Sequence, residues 1–237
     1  MTAETYVTLF VWRVPRHRIP QVLWRMAWDR RALRRTPGVR FAKLLGTGRG
    51  RWFGPSRADL TRWAAIVTRA EPAPDPSAIA RWDRLASGRL RLDLTTLTAR
   101  GSWAGQEPFP PTKDRSRADG PVLALTRARL RPTRARAFWR SIGPPAASAR
   151  VAAAAATRAD GRLATFGIGE APLGWQGTVS VWRAPRDLVE FAYRHPDHRR
   201  VMDETPARRW YAEELFARFA VDRVSGDRSL IDWKEGT

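Results

Sequence analysis

The chain has 237 residues and a mass of 26.8 kDa, with 43 Lys+Arg against 23 Asp+Glu, a formal charge of +20 and a pI near 11.7. That length makes one large domain or two small ones, and 43% hydrophobic residues with twelve Trp exclude wholesale disorder. Without Cys there is no disulfide scaffold, Cys-ligated zinc, iron–sulfur cluster or thiol nucleophile, and three histidines (His17, His195, His198) leave little for a multi-histidine metal centre.

In chain order, Tyr6–Trp12 is apolar, β-branched and aromatic, which predicts a strand closed by Pro15 and Pro20. Residues 21–35 place Val22, Met26 and Leu33 on one helical face, and Pro37-Gly38 stops that helix. Strands are predicted over Val39–Leu45, ending in Gly46-Thr47-Gly48, and over Trp63–Thr68. Pro72, Pro74 and Pro76 form a linker before a helix around Ala78–Leu85. Ser102–Pro121, with Gly, Pro and charge, reads as a loop and a boundary.

Val122–Leu130 is a predicted strand, followed by helices over Thr133–Ile142 and Ser148–Arg158 and a turn at Asp160-Gly161. Strands follow at Leu163–Phe166, ending in Gly167-Ile168-Gly169, and at Thr178–Trp182, then a helix over Arg186–Arg194. Thr205-Pro206 reads as a helix N-cap, and Tyr211, Leu215 and Phe219 at i, i+4 and i+8 extend that helix. Ala220–Val224 is a last strand, and the tail after Gly226 is expected to be loose.

Pro15/Pro132, Gly46/Gly167, Gly48/Gly169 and Arg69/Arg183 recur in the same order at nearly constant offset. We read two copies of a strand–helix–strand–strand–helix unit. The expected fold class is α+β: two tandem ferredoxin-like repeats packed as a dimeric α/β-barrel-like unit, with antiparallel sheets and helices on the outer face. The expected units are residues 1–110, residues 121–225 carrying the ligand site, and a tail over 226–237. An aromatic-lined cavity between sheet and helices is the natural ligand site.

Only Lys43, Lys113 and Lys234 are lysines, so the positive charge is almost wholly arginine, spread along the chain with acids between. No helix-turn-helix, zinc finger or RNP-type aromatic motif accompanies it, so nucleic acid is not the expected partner. The same field would attract an anionic membrane surface or an acidic protein such as a ferredoxin. No stretch nears the ~18 apolar residues of a membrane span, and Met1–Val14 lacks the order of a secretory signal. A cytoplasmic protein is expected, with any membrane contact peripheral to the inner face.

Several motifs fail. Gly46-Thr47-Gly48-Arg49-Gly50 and Gly167-Ile168-Gly169 lack the third glycine and following helix of a dinucleotide fingerprint. They read as turn glycines that also let backbone approach a flat ligand. His195 and His198 at i, i+3 lack a third ligand, and Pro196 disfavours helix at His195. Glu213 and Glu214 are adjacent and cannot share a site in a helix.

Four runs carry a family resemblance: Leu9–Trp12; Phe41–Gly48; Phe166–Pro172 with Gln176 and Val179–Trp182; and Phe191–Arg194 with His198, Val201, Thr205 and Trp210–Phe219. Together they resemble the spheroidene monooxygenase family of acyclic-carotenoid 2-ketolases, over about residues 5–225. The resemblance implies an oxygenase that inserts oxygen at C-2 of an acyclic carotenoid, carries haem b, and uses O2 with electrons from a ferredoxin-type donor. The dense arginine content and the Pro-rich 102–121 loop depart from the family.

Haem iron takes an axial His, Cys, Met or Tyr. Cys is absent, His17 lies in a turn between prolines, and His198 falls in the family-like run. His198 is therefore the expected ligand; a surface or capping role for it, or ligation by His195, are the alternatives. Arg194 and Arg218 are candidate partners of the haem propionates. Trp182, Phe191, Tyr193, Trp210, Tyr211 and Phe216 are the candidate pocket wall, with ordinary core packing the competing role of each. The competing function is a non-catalytic ferredoxin-like module binding an apolar ligand or nucleic acid.

Overall fold

The computed structural model describes residues 5–48, 58–114, 119–130, 161–170, 177–194 and 211–234, with backbone only at 128–130, 192–194 and 211–212. The elements are β1 (Tyr6–Arg13), α1 (Ile19–Arg34), β2 (Val39–Gly48), β3 (Ala58–Arg69), α2 (Ser77–Leu85), β4 (Gly88–Gly101), β5 (Val122–Leu130), β6 (Arg162–Gly169), β7 (Gly177–Trp182), α3 (Pro185–Arg194) and β8 (Tyr211–Gly226). Short 3-10 turns lie at Arg16–Arg18 and Arg228–Ile231.

The strands close into an antiparallel barrel in the order β1-β3-β2-β6-β7-β5-β8-β4. The first half thus runs β4-β1-β3-β2 and the second β8-β5-β7-β6. The β4–β8 ladder joins them over Leu90↔Gly226 to Gly101↔Leu215. On the other side, among the described residues, Gly46↔Gly169 and Thr47↔Ile168 join β2 to β6.

Strand alternation sorts the side chains. Val7, Leu9 and Val11 of β1 face inward, and so do Leu90, Leu92 and Leu94 of β4, with Leu123, Phe166, Val179, Val181, Ala217 and Phe219 from the second half. Phe10 and Trp12 face outward and pack with Trp63, Val67 and the helix residues Met26, Leu33, Ile79 and Trp82. Because both faces of β1 are covered, its sequence is a continuous apolar run rather than an alternating one. The buried indoles are satisfied: Trp12 Nε1 donates to Asp83 Oδ1 at 2.7 Å and Trp82 Nε1 to Asp29 Oδ2 at 3.2 Å.

Two expectations need correction. Tyr211–Phe219 is not helical; it is the first part of β8, paired with β4 and β5. A separation of four residues returns to the same face of a strand as well as of a helix, so the i, i+4, i+8 pattern fitted both. Ladder pairing on both sides overrides the local helix propensity of Ala-Glu-Glu-Leu. The stretch after Gly226 is not loose where it is described: Arg228–Ile231 folds across one end of the barrel and buries Leu230 and Ile231. The 102–121 segment is a loop as expected, yet it sends Trp103 and Phe109 into the barrel interior. Strand β4, to which the sequence reading assigned no element, is the one that pairs with both β1 and β8. The two expected helices over 133–158 lie outside the described residues.

Candidate functional site

The barrel bore is a packed core. The hollow near Leu45, Trp103, Arg127, Ile168 and Glu170 holds only about 140 Å³, much of it open to solvent. A long polyene or a macrocycle does not fit there.

That end of the bore is closed by a charged cluster. Arg127, 3% exposed on β5, points inward. Its Nη2 donates to Glu170 Oε1 at 3.0 Å and its Nη1 donates to Glu213 Oε2. Trp103 Nε1 donates to Glu170 Oε1 at 2.7 Å, and Lys43 Nζ lies 2.8 Å from Glu170 Oε2. Gly105 N–H donates to Glu213 Oε1 at 2.8 Å. The Arg127 guanidinium also lies 5.1 Å from the Trp103 ring centre. Burial pushes the Glu213 carboxyl up. Hydrogen bonds from Gly105, Arg127 and Ala104, with the Arg127 charge, outweigh it and hold the group at about 2 instead of 4.5. Burial likewise raises Glu170, but the Lys43 and Trp103 hydrogen bonds and the Lys43 and Arg127 charges win and lower it.

The sequence reading missed this cluster. Nothing in the sequence sets Arg127 apart from the other arginines spread along the chain, and its partners lie 43 and 86 residues away. Glu213 and Glu214 indeed share no site. The reason differs from the one expected: on a strand they point to opposite faces.

The outer face of the second half is a different surface. Its cross-strand rows are Thr165, Ser180, Ala124, Arg218 and Gly167, Thr178, Thr126, Phe216. These positions alternate with core residues Phe166, Val179, Leu125 and Ala217, so they face outward. From β6 to β8 the platform spans three strand spacings, about 14 Å. Between its borders every residue is small. The matching row of the first half is Leu44, Ala65, Phe10, Arg91, and large apolar groups there pack directly on α1 and α2.

Trp182 and Phe191 close one end of the platform, with ring centres 5.0 Å apart. Trp182 is fully buried, and its Nε1 donates to Ser180 Oγ at 2.9 Å. Arg162 lies over both rings, at 5.3 and 5.4 Å. Leu188 of α3 joins Trp182 and Val122 in a small cluster. Phe216, half-buried, and Arg218, exposed, form the border on β8.

The structure thus brings four of the predicted site residues to one face: Trp182, Phe191, Phe216 and Arg218. Tyr193 and Arg194 end α3 and Tyr211 starts β8, but their side chains are not described. His195, His198 and Trp210 lie outside the described residues. His17 is exposed in the turn after β1, on the first half.

No protein-family model matches the chain. Among solved structures it resembles a crystal structure of aldoxime dehydratase, with TM-score 0.53, 13% identity, and coverage of 92% of this chain and 82% of that one. A second aldoxime dehydratase structure, with butyraldoxime bound, also gives TM-score 0.53 at 12% identity. These likenesses support the fold alone. Among curated proteins, the spheroidene monooxygenase of Rhodobacter capsulatus is 34% identical over 215 residues, which is 88% of this chain and 86% of that protein. The spheroidene monooxygenase of Rubrivivax gelatinosus is 35% identical over 201 residues, covering 80% and 72% of the two chains. That of Cereibacter sphaeroides is 30% identical over 206 residues. Identity at this level over most of both chains means that the protein belongs to the spheroidene monooxygenase family and is an oxidoreductase of the monooxygenase class.

Proposed function

We propose that this enzyme is a haem-dependent carotenoid monooxygenase, inserting oxygen at C-2 of an acyclic carotenoid such as spheroidene. The observation that carries the proposal is the small-residue platform on the outer face of β5, β6 and β7. A flat macrocycle needs a flat wall. Ala124, Thr126, Thr178, Ser180 and Gly167 present one, whereas the first-half face bears Phe10, Trp12 and Trp63. Apolar and aromatic groups (Val122, Trp182, Phe191) suit one edge of a tetrapyrrole, and the exposed Arg218 suits a propionate. The two halves are read as tandem ferredoxin-like copies of a dimeric α/β barrel, the second having traded side-chain volume for a cofactor.

Haem bound there supplies the activation of O2. The chain holds and shapes the site. His198 would ligate the iron, and Arg194 and Arg218 would pair the propionates. Trp182, Phe191, Tyr193, Trp210, Tyr211 and Phe216 wall the pocket, exclude water and align the polyene. Each round takes one O2, two electrons from a ferredoxin-type donor and two protons, converting C–H to C–OH and releasing water. A second round at the same carbon gives a gem-diol, which loses water to leave the 2-ketone. The competing non-catalytic module is not favoured by membership in a monooxygenase family.

Purified enzyme given spheroidene, O2, reduced ferredoxin and haemin should yield a product with one added oxygen, then the ketone, as read by mass spectrometry. Carotenoid recovered unchanged under conditions that turn over a curated relative would overturn the proposal.

A further inference from the structure

We infer that the outward face of α1 docks the enzyme on an anionic lipid bilayer. Trp24 and Trp28 are 55% and 64% exposed, and Leu23 is 38% exposed beside them. The two indoles sit one helical turn apart, with ring centres 5.7 Å from each other. Exposed Trp pairs are costly in water, and amphipathic indoles are favoured at the headgroup boundary of a bilayer.

The charge around them is one-sided. Arg31, Arg34 and Arg35 are exposed along the C-terminal part of the same face, and Arg16 lies exposed just before the helix. Asp29, the only acid in α1, is turned inward, where Arg81 Nη2 binds it at 2.7 Å and Trp82 Nε1 at 3.2 Å. Arg25 lies over the Trp24 ring at 5.2 Å. An apolar stripe flanked by arginines, with its carboxylate sequestered, complements an anionic interface.

The position also suits the task. Arg30 of α1 donates to the backbone carbonyl of Glu170, which ties the helix to the β2–β6 seam beside the platform. A long acyclic hydrocarbon gains about 0.8 kcal/mol per buried CH2 and so resides in membranes. The purpose of docking rests on the carotenoid reading above, but the surface and its test do not.

The test is co-flotation of the full chain with vesicles of phosphatidylcholine alone and mixed with phosphatidylglycerol. Wild type should float with the mixed vesicles, with a blue-shifted Trp emission. Raising salt from about 0.1 M to about 1 M should weaken binding, since it shortens the Debye length from about 10 to about 3 Å. Trp24→Ala/Trp28→Ala should lose about tenfold or more of the partitioning with an unchanged thermal melt, and Arg31→Glu/Arg34→Glu should lose the salt-sensitive part. Absence of binding by wild type, or equal binding by the Trp variant, overturns the inference; so does a Trp face that engages only reduced ferredoxin. Haem absorbance of the same samples reads the cofactor separately, so the two proposals fail independently.

Discussion

Arg127 Nη2 lies 3.0 Å from Glu170 Oε1, although Arg127 is on β5 and Glu170 follows β6, with β7 between those strands. With Glu213 of β8 on its other side, this one guanidinium ties three elements of the second half to one end of the barrel. Lys43 of β2 carries the link into the first half, next to a seam with two backbone pairs among the described residues.

Removing that cation takes a shared buried partner from Glu213 and Glu170, of which Glu170 keeps Lys43 and Trp103. Arg127→Ala should cost about 3–5 kcal/mol in urea unfolding. Arg127→Met/Glu213→Gln should recover part of the loss, because the buried charge goes with its partner. A loss below about 1 kcal/mol for Arg127→Ala would show that water replaces the guanidinium.

The depressed Glu213 carboxyl makes stability depend on acid. Its folded value, about 2, is below its ordinary 4.5, so its contribution is complete above about 4.5. It is lost as pH falls from there toward 2. Denaturant midpoints of wild type should fall over that window, and Glu213→Gln should flatten the slope. Parallel curves for the two proteins would contradict this.

Two glycines end the β4–β8 ladder in backbone conformations that favour Gly. Gly101 has φ +94° and faces the Glu214 carbonyl; Gly226 has φ +95° and faces the Arg89 carbonyl. Either residue as Ala should destabilise by about 1–3 kcal/mol, since a Cβ would strike backbone that cannot step aside. Thermal melts of Gly101→Ala and Gly226→Ala read this directly, and unchanged midpoints would refute it.

The platform offers a test that spares the core. Ala124 is half-buried between Ser180 and Arg218. Ala124→Trp should abolish haem uptake and turnover while moving the melting temperature by only a few degrees, roughly the effect of 1 kcal/mol. Full haem uptake by this variant would move the cofactor elsewhere.

Much of the fold was legible in the sequence. β1, α1, β2 and α2 follow from apolar runs and helix-period spacing with Pro and Gly between them. The paired GTG and GIG runs end β2 and β6, and Gly46 and Gly169 meet at the seam. β8 was misread because Tyr211, Leu215 and Phe219 satisfy both periodicities, and only the long-range ladders decide between them. β4 did carry a signal, the alternation Leu90, Leu92, Leu94. The Arg127 cluster carried none, since nothing local distinguishes one buried arginine in so basic a chain. Trp182, Phe191, Phe216 and Arg218 were singled out only through the family-like runs, which gave no hint that Trp182, Phe216 and Arg218 share one sheet face with Phe191 of α3 packed on Trp182.

The central claim is that the second-half platform holds a haem ligated by His198. The most direct measurement is the absorption spectrum of the protein purified from haem-replete cells, beside His198→Ala and Ala124→Trp prepared identically. A Soret band in wild type that is lost or shifted in both variants is the result expected. A colourless wild type that takes up no added haemin, or a band indifferent to both substitutions, would contradict it.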